Sequence, residues 1–65
     1  MHIGQKVIGD GTSMFGPVKG KEYTITFIRK VGIMNTCGIL DLIDSEGNEM
    51  TAYPENVTDL NGKAI

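Results

Sequence analysis

The sequence has no tryptophan, a single cysteine and a single histidine, and these scarcities exclude several classes of site. With Cys37 alone no internal disulfide can form, whereas small secreted domains usually depend on several. A metal site needs three or four ligands, and His2 and Cys37 are the only soft ones. We therefore expect no metal and no other cofactor.

Long apolar runs are also missing. No stretch approaches the ~18 apolar residues that a membrane span requires, and the first residues lack the basic and apolar regions of a signal peptide. These features predict a cytoplasmic protein without a membrane partner.

Helices are not expected, because nine glycines are spread over 65 residues and no apolar pattern keeps helical spacing over ten residues. Alternating apolar residues between clusters of turn-forming residues instead predict strands. We expect five, at Gln5–Gly9, Glu22–Arg29, Cys37–Asp44, Glu49–Tyr53 and Val57–Leu60.

The alternation also predicts which side chains enter the core. In the second predicted strand, Tyr23, Ile25 and Phe27 share one face, which should be buried. In the third, we expect Leu40 and Leu42 to point inward, because the opposite orientation would bury the intervening aspartate without a partner.

The connections between these strands differ in length. A long loop follows the first strand and ends near Gly20, where a positive φ is expected, and Gly47 should supply a positive φ in the tight hairpin Ser45–Asn48. The remaining expectations are a loop at residues 31–35, one 3₁₀ turn at Pro54–Asn56 and a frayed tail at residues 61–65.

Two segments resemble known families. Pro54-Glu55-Asn56-Val57-Thr58-Asp59-Leu60 resembles the P-S-N-Y-V-x-x-L ending of SH3 domains. Gly4-Gln5-Lys6-Val7, with Val18-Lys19-Gly20-Lys21-Glu22-Tyr23-Thr24-Ile25, resembles a pattern in small SH3-like barrel proteins of bacteriophages and prophages. Together with the strand order, the resemblance implies an all-β, five-stranded SH3-like barrel over residues 1–60, with the 3₁₀ turn before the last strand. It also implies a phage or prophage protein that acts in the host cytoplasm.

No pattern predicts catalysis. The Gly16–Lys21 segment differs from a phosphate-binding P-loop in spacing and leads into a strand rather than a helix. Carboxylate pairs such as Asp41 with Asp44 need a cleft that shifts their pKa values apart, and a barrel of this size seldom has one. We therefore expect a protein that is not an enzyme.

Charge is distributed unevenly, and this raises the question of nucleic-acid binding. Residues 1–36 carry +3 and residues 37–65 carry −5, so the chain has a net charge of −2. Cross-strand charge pairs are the simpler explanation. The alternative is a basic stripe that binds nucleic acid, formed by Lys19, Lys21, Arg29 and Lys30. The net negative charge disfavours it.

Binding to another protein is the leading hypothesis. A proline-rich ligand needs an aromatic groove, but this chain has no tryptophan and has Val57 in place of the SH3 tyrosine. The candidate protein-binding residues are the exposed apolar side chains and prolines that remain. They are Met14, Phe15, Pro17, Tyr53 and Pro54. Self-assembly into a homo-oligomer is a third hypothesis, because small cores gain from association.

Overall fold

The computed structural model of the chain describes residues 1–31 and 36–65. Every strand pair is antiparallel, and the strands lie in the order β4-β3-β2-β1-β5. No helix in the described residues is long and apolar enough to cross a membrane. The elements are β1 (Lys6–Gly9), β2 (Glu22–Val31), β3 (Thr36–Ile43), β4 (Glu49–Ala52), the 3₁₀ turn (Pro54–Asn56) and β5 (Val57–Thr58).

One apolar core contains side chains from all five strands. A flat sheet would hold β4 and β5 at opposite edges, so a shared core requires the sheet to curl into a barrel. This architecture confirms the predicted fold class, an all-β SH3-like barrel of five strands with a short 3₁₀ turn before the last one. The buried core residues are Val7, Tyr23, Ile25, Leu40, Leu42, Ala52 and Val57.

The predicted core face of β2 is correct at its start and wrong at Phe27. Tyr23 and Ile25 are buried, but the Phe27 side chain is 52% exposed. The pairing of β2 with β3 shifts register between Ile25 and Phe27, so the alternation of side chains reverses there. Ile28, opposite Leu40, packs against the core instead.

The predicted orientation of β3 is confirmed. Leu40 and Leu42 are fully buried. Asp41 points to the outer face and pairs with Arg29 of β2, with 3.0 Å between Nη2 and Oδ2. The loop predicted at residues 31–35 lies outside the described residues, except for Val31, which ends β2.

Two turns share the same hydrogen-bond pattern. In the β3–β4 hairpin, Asp44 accepts the backbone N–H groups of Glu46 and Asn48 at Oδ1, each at 2.9 Å, and Gly47 has the predicted positive φ of 86°. After β5, Asp59 accepts the N–H groups of residues 61 and 63 at Oδ1 in the same way, and Gly62 has a φ of 83°. An Asp-x-x-Gly-x sequence specifies both turns.

The second of these turns lies in the segment that we expected to fray. There Ala64 pairs with Thr58 of β5, and Ile65 packs against the core. Residues 61–65 therefore contact the barrel, and the expected mobility of this segment stays a prediction.

Candidate functional site

The long loop between β1 and β2 is attached at its start to the 3₁₀ turn. The Asp10 carboxylate accepts hydrogen bonds from the backbone N–H and the hydroxyl of Thr12, at 2.9 and 2.7 Å, and these bonds hold the pKa of Asp10 below its ordinary value. Asn56 donates from Nδ2 to the Thr12 hydroxyl at 3.1 Å, and the backbone carbonyl of Asn56 accepts the Asp10 N–H. Its Oδ1 accepts the N–H of Tyr53. Asn56 thus joins the loop to the residue that precedes the turn.

The same loop is anchored at its end by the core. Pro17 is buried, and the buried Tyr23 hydroxyl accepts the Val18 N–H at 3.0 Å. Gly9 of β1 packs closely against Pro17 and Val18, and a Cβ on Gly9 would stand 2.2 Å from the Val18 carbonyl oxygen. Gly20 has the predicted positive φ, 80°, and donates its N–H to Gly9. Pro17 therefore anchors the loop and, contrary to the sequence-based choice of contact residues, presents no surface to a partner.

Between these anchors, the middle of the loop exposes two large apolar side chains. Met14 is 90% exposed and Phe15 is 92% exposed. Across from Phe15 lies Tyr53, itself 56% exposed. The structure thus brings together two of the five predicted contact residues, which are separated by 38 positions in the sequence. Met14 and Pro54 adjoin them in the chain.

Phe15 and Tyr53 border a shallow cleft of about 170 Å³. Ile39 of β3 and Thr51 of β4, which lie on the outer face of the sheet, also line this cleft. A second depression, of about 410 Å³, continues along this outer face and contains the Arg29–Asp41 pair. Thr51 lines both depressions, so they adjoin at this residue. The residues that line the first are Ser13, Phe15, Gly16, Ile39, Thr51, Ala52, Tyr53 and Asn56.

A buried ion pair lies near the hairpin, outside the cleft. Lys21 Nζ is 2.9 Å from Oδ2 of Asp44, whose side chain is almost fully buried. The Lys21 ammonium and the backbone donors of the turn hold the pKa of Asp44 well below its usual range. The carboxylate in turn raises the pKa of Lys21. All these bonds serve the turn, so they position β4 rather than a ligand.

The four cations of the alternative nucleic-acid site do not form a compact patch. Lys21 and Arg29 are neutralised by Asp44 and Asp41, as the cross-strand interpretation of the charge distribution predicted. Lys19 and Lys30 make no salt bridge within the described ranges, but they flank opposite ends of β2. At about 3.3 Å per strand residue, these ends lie up to roughly 30 Å apart.

Sequence reasoning missed three residues that shape the cleft. Asn56 was predicted only as part of the 3₁₀ turn and of the SH3-like ending, and Ile39 and Thr51 only as strand residues. The outward alternation from the buried Leu40 would have assigned Ile39 to the outer face. The contact of Asn56 with Thr12 had no such signal, because the two are far apart in the chain.

Comparisons of the chain with protein-family models, with curated proteins and with solved structures gave no match. In the part of the chain that the structure describes, no three His, Cys, Asp or Glu side chains are grouped as metal ligands would be. The geometry of the cleft is therefore the basis for a functional assignment.

Proposed function

We propose that the chain is a small, non-enzymatic protein-interaction module that binds another protein at the cleft between Phe15 and Tyr53. The observation that carries the proposal is the exposure of Phe15, at 92%. Folding buries little of this residue, although the loop that carries it is anchored at both ends. Met14, beside it, is exposed to the same degree.

The energetics favour a partner at this position. Burial of a fully exposed phenylalanine stabilises a complex by about 1.5–3 kcal/mol, and tyrosine is enriched among the residues that dominate protein interfaces. The loop is held by Asn56 and by the buried Pro17, so little conformational entropy is lost when a partner docks.

The resemblance to small phage and prophage barrels suggests the source of the partner. It supports a phage-encoded protein that acts in the host cytoplasm and binds a host protein. The cleft does not depend on this origin, since it is a property of the residues described above.

The test compares a double variant, Phe15→Ala with Tyr53→Ala, against the single variant Phe27→Ala. Phe27 is an aromatic residue of similar exposure to Tyr53 that lines neither depression, so it serves as a matched control. Partners are captured from a host lysate with the wild-type protein, and their affinities are then measured by calorimetry. We expect the double variant to lose at least about tenfold in affinity, or ~1.4 kcal/mol, and Phe27→Ala to bind like the wild type. Unchanged binding by a folded double variant would refute the proposal.

The alternative of nucleic-acid binding makes a different prediction. Lys19 and Lys30, the two members of the predicted basic stripe that form no salt bridge with a described residue, would contact phosphates, so binding should weaken steeply with salt. A mobility-shift titration at low salt, with the Lys19→Glu and Lys30→Glu double variant as control, tests it. A complex that this variant abolishes would favour the alternative.

A further inference from the structure

The strand β4 lies at the edge of the sheet, beside the cleft. In the strand order, β4 lies at one end of the sheet, and β3 is its only partner among the described strands. Asp44 donates its backbone N–H to the carbonyl of Asn48, which marks this pair as hydrogen-bonded. Such pairs alternate along an antiparallel ladder, so Met50 and Ala52 of β4 also bond to β3.

The residues between them direct their backbone groups away from β3. These are Glu49 and Thr51, whose N–H and C=O groups point to the open edge. The next outward residue, Tyr53, is already satisfied, because its N–H donates to Oδ1 of Asn56 and its carbonyl accepts the Asn56 N–H. The edge therefore presents two residues at the spacing that a further strand requires, and ends where the 3₁₀ turn begins.

We propose that the partner binds as an extended segment that adds to the open edge of β4, pairing with the backbone of Glu49 and Thr51 and placing an apolar side chain between Phe15 and Tyr53. This inference rests on the proposed function and specifies the chemistry of the ligand. Strand addition is a common mode of peptide recognition, in which main-chain hydrogen bonds give affinity and neighbouring pockets give specificity. Thr51 contributes to both the hydrogen bonds and the pocket, because its backbone lies on the open edge and the residue lines the cleft.

Charge determines which extended segment fits. Glu49 on β4 and Glu55 in the 3₁₀ turn are exposed, and neither forms a salt bridge with another described residue. A segment with lysine or arginine beside its apolar residues complements this edge. A second copy of the chain would instead bring the same carboxylates from both copies together, which is unfavourable.

The experiment begins with selection of ligands from a display library of random linear peptides, using the wild-type protein as bait. The best binder is then used as the probe. We expect selected sequences to combine β-branched or aromatic residues with lysine or arginine. In the complex, hydrogen exchange at the amides of Glu49 and Thr51 should slow by at least about tenfold, because both become hydrogen-bonded.

A pair of variants tests the edge directly. Thr51→Pro removes an N–H that faces away from β3, so the fold should persist while peptide affinity falls about tenfold or more. Thr51→Val keeps the N–H and the branched side chain, so it should lose less affinity than Thr51→Pro does. The exchange measurement uses the unmodified protein, so the proposal stays testable if Thr51→Pro does not fold.

Several outcomes overturn the inference. If binding is lost in the Phe15→Ala, Tyr53→Ala variant but the exchange of Glu49 and Thr51 is unchanged in the wild-type complex, the proposed function stands and strand addition is wrong. Slower exchange at these amides with rising protein concentration, without peptide, would identify a second copy as the occupant. A library that yields no binder would count against both proposals.

Discussion

The β3–β4 turn and the long loop after β1 are both irregular segments, but they use their side chains in opposite ways. In the turn, a charged residue is buried: the Asp44 carboxylate holds two backbone N–H groups and the Lys21 ammonium. In the loop, the apolar residues Met14 and Phe15 are almost fully exposed. The turn thus uses its polar groups to stabilise the fold, whereas the loop leaves its apolar side chains exposed, where the proposed partner would contact them.

Burial and bonding distinguish the residues that the fold explains from those available to the proposed partner, and they do so better than polarity does. A buried, fully bonded carboxylate is explained by the turn that it stabilises. An exposed aromatic residue on an anchored loop is not explained by folding, because its removal would cost the barrel little. Substitutions that break the bonds of the turn should therefore destabilise the barrel, whereas substitution of the exposed loop residues should not.

Among the substitutions in the turn and the loop, Asp44→Ala should lower the free energy of unfolding most. This change removes the acceptor of two backbone N–H groups and leaves the Lys21 ammonium without its partner. The matched control is Asp59→Ala, which breaks the same pattern in a turn whose aspartate forms no salt bridge with a described residue. Urea denaturation should show a greater fall in midpoint for Asp44→Ala. Equal effects would mean that the ion pair adds nothing to the turn.

Gly9→Ala should destabilise the loop anchor. The new Cβ would stand 2.2 Å from the backbone oxygen of Val18 and 2.9 Å from Pro17, so the loop must shift. We expect a loss of about 1–3 kcal/mol in the free energy of unfolding, with Gly4→Ala as a control at a glycine whose Cβ would meet no atom. The control carries its own strain, because the φ of Gly4 is 90°. A Gly9→Ala protein less destabilised than Gly4→Ala would contradict the packing described here.

Stability should decrease on acidification below about pH 4. The pKa of Asp44 is lowered in the folded state, so its contribution is present above the ordinary value of 3.8 and is lost as the pH falls through the lower folded value. The pKa of Lys21 is raised in the folded state, so its contribution to stability is present below pH 10.5 and is lost only at higher pH. Urea denaturation of the wild type and of Asp44→Asn checks this expectation, at pH values between 3.8 and 10.5 and at pH values below 3.8. The difference between the two proteins should shrink in acid, and a constant difference would argue against the ion pair.

Phe15→Ala should change stability least, by no more than about 0.5 kcal/mol, because the side chain is 92% exposed. Thermal denaturation followed by circular dichroism is sufficient to measure it. Ile25→Ala, at a fully buried position, provides the contrast and should cost about 2–5 kcal/mol. A large loss for Phe15→Ala would show that the loop uses this residue to fold, and the distinction between the two regions would fail.

Much of the barrel could be predicted because its determinants are local. Tyr23, Ile25, Leu40 and Leu42 follow the period of two that a half-buried strand requires, and Gly47 marks a turn by its conformational freedom. Phe27 was predicted wrongly because a β-bulge depends on how two strands meet. No residue beside Phe27 signals the shift in register.

The candidate site was predicted only in part, for a similar reason. The choice of Phe15 and Tyr53 came from their apolar character near loop and strand ends, which the sequence shows. Pro17 met the same criterion, but it is buried because Gly9 allows the loop to approach the strand closely. Burial of a loop residue depends on a neighbour from a distant part of the chain.

By itself, the sequence determined the fold class, the strand periods and the tight turn at Gly47, since these depend on patterns among residues within a few positions of one another. Only the tertiary structure decided that Phe15 and Tyr53 share a cleft, that Lys21 and Arg29 are neutralised, and that β4 has an open edge. These features arise where distant segments meet, and their geometry follows from the register and curvature of the sheet.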